Sequence, residues 1–125
     1  MNTSQMTRTS QSFDAEALRR GIEERDAATL LSLYAEDAEL QVVDHNDQPS
    51  RPRIIRGRTA IGEYFADACG RDMTHKIERL VVGDNGAAFV QSCRYPNGAR
   101  VLCMAVLDLR SGLITRQSGV QAWDE

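Results

Sequence analysis

Asp44 and His75 are the side chains of this chain best suited to moving a proton. Asp44 ends the run Glu39-Leu40-Gln41-Val42-Val43-Asp44. Strand side chains repeat their direction every second residue, so Leu40, Val42 and Asp44 share a face. A carboxylate beside apolar neighbours gains a raised pKa and the character of a general base; the alternative for a strand-end Asp is to cap its own loop. His75 precedes a long run of strand-like sequence, and its imidazole titrates near neutral pH, which suits an acid, a base or a ligand hydrogen-bond donor. The alternative is a surface or turn histidine, since no spacing makes the two residues meet. His45, on the opposite strand face from Asp44, ranks below His75. Lys76 is the only lysine, leaving no separate candidate for an imine link, and no Gly-rich phosphate loop follows a strand, so no cofactor is expected.

These side chains need elements to position them. Phe13, Ala17, Leu18, Gly21 and Ile22 fall on one helical face, with Ser12 or Asp14 as cap, and Asp26 caps a second helix carrying Leu30, Leu31, Leu33 and Tyr34. The strand ending at Asp44 follows, then a polar loop with Pro49 and Pro52, the pair Ile54-Ile55, and a third helix opened by Gly57-Arg58-Thr59. Ile61, Tyr64, Phe65 and Ala68 form its apolar face. Turns at Asp84-Asn85-Gly86, Asn97-Gly98 and Ser111-Gly112 separate strands near 76–83, 87–95, 99–109 and 113–123, an antiparallel meander. If Asn97-Gly98 is a two-residue turn, Tyr95 pairs with Arg100, Cys93 with Leu102 and Gln91 with Met104, and Cys93 and Cys103 lie on opposite faces. Both faces are then substantially apolar, so one packs on helices and the other meets a partner subunit.

The chain is α+β. Its 125 residues allow one domain, 12–125, preceded by a Thr-, Ser- and Gln-rich loose tail at 1–11. No apolar run spans a bilayer and no signal pattern opens the chain, which points to the cytoplasm. Three cysteines without close metal spacing read as reduced core residues, and no metal is expected. Residues 1–50 carry 4 basic and 10 acidic side chains, residues 51–125 carry 11 and 8, so neither half attracts nucleic acid. Arg51, Arg53, Arg56 and Arg58 cluster before the third helix as a solvated basic loop or an anion site.

The order of helix, Arg25-Asp26 link, helix, Leu33-Tyr34-Ala35-Glu36-Asp37-Ala38-Glu39-Leu40, loop, Gly57-Arg58-Thr59-Ala60-Ile61, helix and meander resembles the nuclear transport factor 2-like superfamily, in its SnoaL-like and ketosteroid isomerase-like branches. Gly112-Leu113-Ile114-Thr115-Arg116 and Ala122-Trp123-Asp124 resemble that family's last strand. The resemblance spans residues 13–124. It implies a cone-shaped barrel, a strongly curved, mostly antiparallel sheet wrapped around three N-terminal helices, with an apolar pocket and homodimerisation through the outer sheet face. A small hydrophobic ligand is the expected partner. Tyr34, Leu40 and Val42, then Tyr64 and Phe65, then Met104 and Trp123 are the expected lining. Each of Tyr34 and Tyr64 has the alternative of a core aromatic on a helix face, and Trp123 of a dimer seal or a sheet cover.

Ketosteroid isomerases set the sharpest comparison. Their strand base falls opposite Val42, their first-helix phenol opposite Leu18, and their protonated acid near Met104 or Ala105. None of these side chains exchanges a proton, so that catalytic set is missing. The expectation is a small-molecule-binding protein, with Asp44 and His75 as candidates for isomerase, cyclase or dehydratase chemistry; the alternative is a non-catalytic dimeric ligand-binding or protein-interaction module.

Overall fold

The computed structural model describes residues 12–124, so the expected tail at 1–11 lies outside the described residues. Helix α1 (Ala15–Glu23) starts at Asp14, whose carboxylate accepts from the Ala17 amide at 2.9 Å. Helix α2 (Ala27–Leu31) starts at Asp26, which accepts from the Thr29 amide at 3.1 Å and its hydroxyl at 2.8 Å. Both carboxylates satisfy amides that the first helical turn leaves unpaired. The helices meet at Gly21, where a Cβ would come within 2.9 Å of Leu30.

Helix α2 is shorter than the apolar pattern suggests. Tyr34 belongs to strand β1 (Tyr34–Val43), paired with Ile114 of the last strand, because burial against the sheet outweighs its weak helical preference. Strand β2 (Arg53–Arg56) holds the Ile54-Ile55 pair, and helix α3 (Gly57–Gly70) follows it. Strands β3 (Thr74–Val82), β4 (Gly86–Arg94), β5 (Arg100–Arg110) and β6 (Leu113–Trp123) form the meander. The strand order is β2-β1-β6-β5-β4-β3, antiparallel except for β1 beside β6. The sheet is open, with β2 and β3 as edges, so the expected cone-shaped barrel is a curved sheet that does not close. Among the described residues α1 and α2 precede the sheet, whereas α3 comes after β2, which corrects the expectation of three N-terminal helices.

Two turns fix the register. Ser111 and Gly112 both have positive φ, 53° and 80°, as a two-residue hairpin between paired Arg110 and Leu113 requires. The turn before β5 is longer than expected. Tyr95 donates its amide to Ala99, leaving Pro96, Asn97 and Gly98 as a three-residue loop with Gly98 at φ 92°. Cys93 therefore pairs with Val101 and Gln91 with Cys103, one position away from the two-residue reading. A one-residue slip exchanges every face. Cys93 and Cys103 share the inner face, and Leu102, Met104 and Val106 point outward.

The inner face packs on the helices through Leu18, Leu40, Ile61, Leu107 and Ile114, all essentially inaccessible. A smaller cluster of Met73, Cys93 and Val101, flanked by Tyr95, Cys103 and Trp123, closes the other end of the sheet. Edge strand β3 is held by Glu23 of α1, which accepts from the Ile77 amide at 2.9 Å. Among the described residues no helix is long and apolar enough to cross a membrane.

Candidate functional site

Between helices and sheet lies a cavity of about 370 Å³, bounded by residues from every strand and helix. Arg53 on edge strand β2 and His75 on the opposite edge strand β3 both line it, so the sheet curves enough to bring its two edges around one space. The apolar walls include Leu18, Ile22, Val42, Phe65, Phe89 and Ala105. Leu18, Val42 and Ala105, the counterparts expected from the resemblance to ketosteroid isomerases, are among these lining residues.

Three clusters of polar side chains stand out among the groups that line the cavity. Tyr34 donates its hydroxyl to Gln117 Oε1 across the β1–β6 pair. Burial first, and then the neighbouring Tyr64, push the Tyr34 phenol far above its ordinary range. Tyr64 on α3 is also pushed up, chiefly by burial and then by Cys103, with a hydrogen bond from Gln121 opposing the shift. Arg53 sits 5.3 Å from the centre of the Tyr64 ring, a cation–π contact. Tyr34 and Tyr64 flank Phe65 with ring centres 5.3 and 5.7 Å away.

The third cluster is built on β3, β4 and β5. His75 is directly opposite Cys93, and its Nδ1 lies 3.1 Å from Cys93 Sγ. Gln91 Nε2 is 3.1 Å from the same Nδ1 and donates to Cys93 Sγ at 3.2 Å. A hydrogen bond from Cys103 is the largest influence holding the Cys93 thiol well below the ordinary thiol range, followed among the favourable ones by the bond and charge of His75 and the amide of Gln91; burial opposes them. Cys103 moves the opposite way, because its proton is held by Cys93, its site is desolvated and a neighbouring thiolate repels a second charge. Among the described residues no group of three or more His, Cys, Asp or Glu side chains is arranged to hold a metal.

The mouth is aromatic. His45 packs against Trp123 with centres 4.3 Å apart and the rings tilted by 53°, Tyr95 lies 6.0 Å from Trp123, and the indole donates to Gln121 at 3.1 Å. Asp44 lines the same cavity, but its Oδ1 accepts from the amides of Asn46 at 2.8 Å and Asp47 at 2.9 Å, an Asx turn that caps its own loop. Asp44 and His75 thus border one cavity with different partners. Leu40 is 1% exposed, paired with Ile55, and belongs to the core away from the lining. Met104 borders the wall, yet it is 56% exposed in the outward register. Tyr34, Val42, Tyr64, Phe65 and Trp123 all line the cavity.

The arginine cluster is divided among separate tasks. Arg56 pairs with Glu39 at 2.9 Å, Arg58 donates to the Leu31 carbonyl at 3.3 Å, and Arg53 faces the cavity. Gln91, Gln117, Gln121 and the two inner cysteines were missed from sequence. The pairing of Tyr95 with Ala99 around a Gly at the αL position was the available signal, since it sets Cys93 and Cys103 on one face.

The SnoaL-like domain family matches residues 15–117. No curated protein matches the chain. Among solved structures, an NTF2-like protein of unknown function from Mesorhizobium loti is similar at 16% identity and TM-score 0.73, over 97% of this chain and 95% of that one. One from Burkholderia xenovorans LB400 is similar at 15% identity and TM-score 0.74, over 97% and 87%. A computationally designed 17-OHP binder is similar at 19% identity and TM-score 0.64, over 84% and 87%. At these identities the likeness is one of fold. With most of its length matched to one family and the same frame found in these structures, the chain belongs to the SnoaL-like branch of the nuclear transport factor 2-like superfamily.

Proposed function

We propose that the chain binds a small hydrophobic molecule in the cavity between its helices and its sheet. The observation that carries this reading is a space of about 370 Å³ in which the apolar Leu18, Ile22, Val42, Phe65, Phe89 and Ala105 meet polar and charged side chains held at fixed places. Ligand sites of small molecules have that size, and fixed polar groups orient what the apolar walls hold. Tyr34 with Gln117 and Tyr64 with Gln121 are suited to orient a carbonyl or hydroxyl on an otherwise apolar body. The designed 17-OHP binder, with the same frame, supports the choice of ligand class.

Binding fits the geometry better than proton transfer between Asp44 and His75. One Asp44 oxygen is committed to its loop, and His75 Nδ1 addresses Cys93 and Gln91. Trp123 is the only tryptophan and lines the cavity, so its fluorescence reports occupancy. Titration with 17-OHP is expected to change it along a saturable curve. A flat response, with the ligand soluble and the protein folded, contradicts the reading.

A second copy is the proposed cover for the outer face. Leu102, Met104 and Val106 on β5 and Val120 on β6 are exposed there as one apolar stripe, since Met104 pairs with Val120. A two-fold contact sets the stripe against itself, so Val106→Glu brings two like charges together. The expected weakening is about 100-fold or more in dimer dissociation constant, read by sedimentation velocity. A wild-type monomer at micromolar concentration contradicts the dimer. The three free cysteines fit a reducing compartment, the cytoplasm.

A further inference from the structure

We propose that Cys93, with His75, Gln91 and Cys103 around its sulfur, is a nucleophilic thiol that captures small apolar electrophiles of the α,β-unsaturated carbonyl class inside the cavity. The ligand class rests on the cavity reading above; the reactivity of the thiol does not. Three side chains, His75, Gln91 and Cys103, from three adjacent strands converge on the Cys93 sulfur, and all four residues line the cavity. Cys93 is only 5% exposed, so the cavity is its route to a reactant. A core cysteine needs none of this polar company; a thiolate needs all of it.

The neighbours divide the work. In the neutral state the Cys93 thiol donates to His75 Nδ1, and the Gln91 amide donates to Cys93 Sγ. When the proton crosses to Nδ1, the imidazolium, Gln91 and the Cys103 thiol all donate to the sulfur. Cys103 is the diagonal neighbour of Cys93, since it lies opposite Gln91. Diagonal Cα atoms are about 7–8 Å apart, too far for an unstrained disulfide, so the second thiol acts as a donor.

Thiolate attack on the β-carbon forms a C–S bond and breaks the carbon–carbon π bond; its electron pair becomes the π bond between the α-carbon and the carbonyl carbon, and the carbonyl π pair moves to oxygen as an enolate. The imidazolium returns its proton to the α-carbon as the enolate collapses. The sum is an addition: no electron donor or acceptor is required and no group leaves. Tyr64 lines the same cavity and offers a phenol to the developing enolate oxygen.

The other charged or titratable groups around this cluster set its pH response. Tyr64, Asp67 and Arg71 face the cavity from α3 and its end, and Asp67 pairs with Arg71 at 2.7 Å. Arg53 enters from β2, and Asp44 and His45 from the loop after β1. Tyr95, after β4, accepts from Arg71 at 3.4 Å. The Asp67–Arg71 pair nearly cancels, and the groups that act directly on the Cys93 thiol are Cys103, His75 and Gln91. Cys69, whose thiol is pushed up by burial first, is the internal comparison.

The test is alkylation of the wild-type protein with iodoacetamide across pH 5–9, with each cysteine followed by peptide mapping. Cys93 is expected to react about tenfold faster than Cys69 at pH 6, with an inflection below about pH 7. His75→Gln and Cys103→Ala, checked as folded by circular dichroism, each move that inflection up by about one pH unit or more. Chalcone, an apolar enone, is then expected to add once, at Cys93. An inflection in the ordinary thiol range, or reaction rates that do not distinguish Cys93 from Cys69, overturns the proposal without any variant. Chalcone that quenches Trp123 saturably but adds no mass overturns covalent capture and leaves the binding reading standing. Chalcone that does neither removes covalent capture and counts against the cavity reading as well.

Discussion

Leu107→Ala is expected to lower the unfolding free energy by about 3–5 kcal/mol. Leu107 is fully buried on β5, between Ala87 of β4 and Gln117 of β6. Three adjacent strands fix the backbone around it, so the space left by the side chain cannot collapse. The loss then combines the transfer energy of the deleted carbons with the cost of a retained void. Denaturant unfolding measures it as a lower midpoint at unchanged slope. Val81→Ala on edge strand β3, at 56% exposure, is the matched comparison, with an expected change within about 0.5 kcal/mol. Equal losses at the two positions would mean that the inner face is not the core.

Ala105→Asp is expected to destabilise by about 4 kcal/mol at pH 7, and by much less at pH 4. Ala105 is buried on the inner face opposite Phe89 and Gly119, so neither directly paired residue can neutralise a carboxylate. Desolvation disfavours the charged form and raises the folded-state pKa by about three units, each worth 1.36 kcal/mol. The sign follows from proton uptake: the folded protein binds the proton more tightly than the unfolded chain. The charge penalty is therefore absent below the unfolded pKa, grows as pH rises towards the folded pKa, and is constant above it. Ala105→Asn, which cannot ionise, provides the pH-independent reference. If Ala105→Asp costs the same at pH 4 and pH 7, this stretch of wall is hydrated.

Local chemistry was the legible part. Asp14 and Asp26 cap their helices as their positions indicate, and Ser111-Gly112 turns as its residue types demand. The family resemblance, carried by Gly57-Arg58-Thr59-Ala60-Ile61 and the flanking elements, led to the right superfamily. Non-local pairing was not legible. That β1 runs parallel to β6, with a register shift between Tyr34 and Glu39, depends on residues some eighty positions apart, and it moved Tyr34 from a helix face to a strand. The hairpin at Asn97-Gly98 was misread by one residue, and a strand amplifies that error because its side chains alternate. The two-residue reading puts Cys93 and Cys103 on opposite faces and Met104 on the face of Gln91, whereas Cys103 is the partner of Gln91. For Asp44 the sequence offers a cavity rim or a cap on its own loop, and the amides of Asn46 and Asp47 become its partners only once the turn is folded.

The most direct measurement is a crystal structure of the protein grown with 2-naphthol, an apolar ring system carrying one hydroxyl. The predicted result is density for the rings between Phe65, Phe89 and Ala105, with the hydroxyl at Tyr34–Gln117 or Tyr64–Gln121. Density confined to the outer stripe of Leu102, Met104 and Val106, with the inner cavity filled by ordered water, would contradict the proposed binding function.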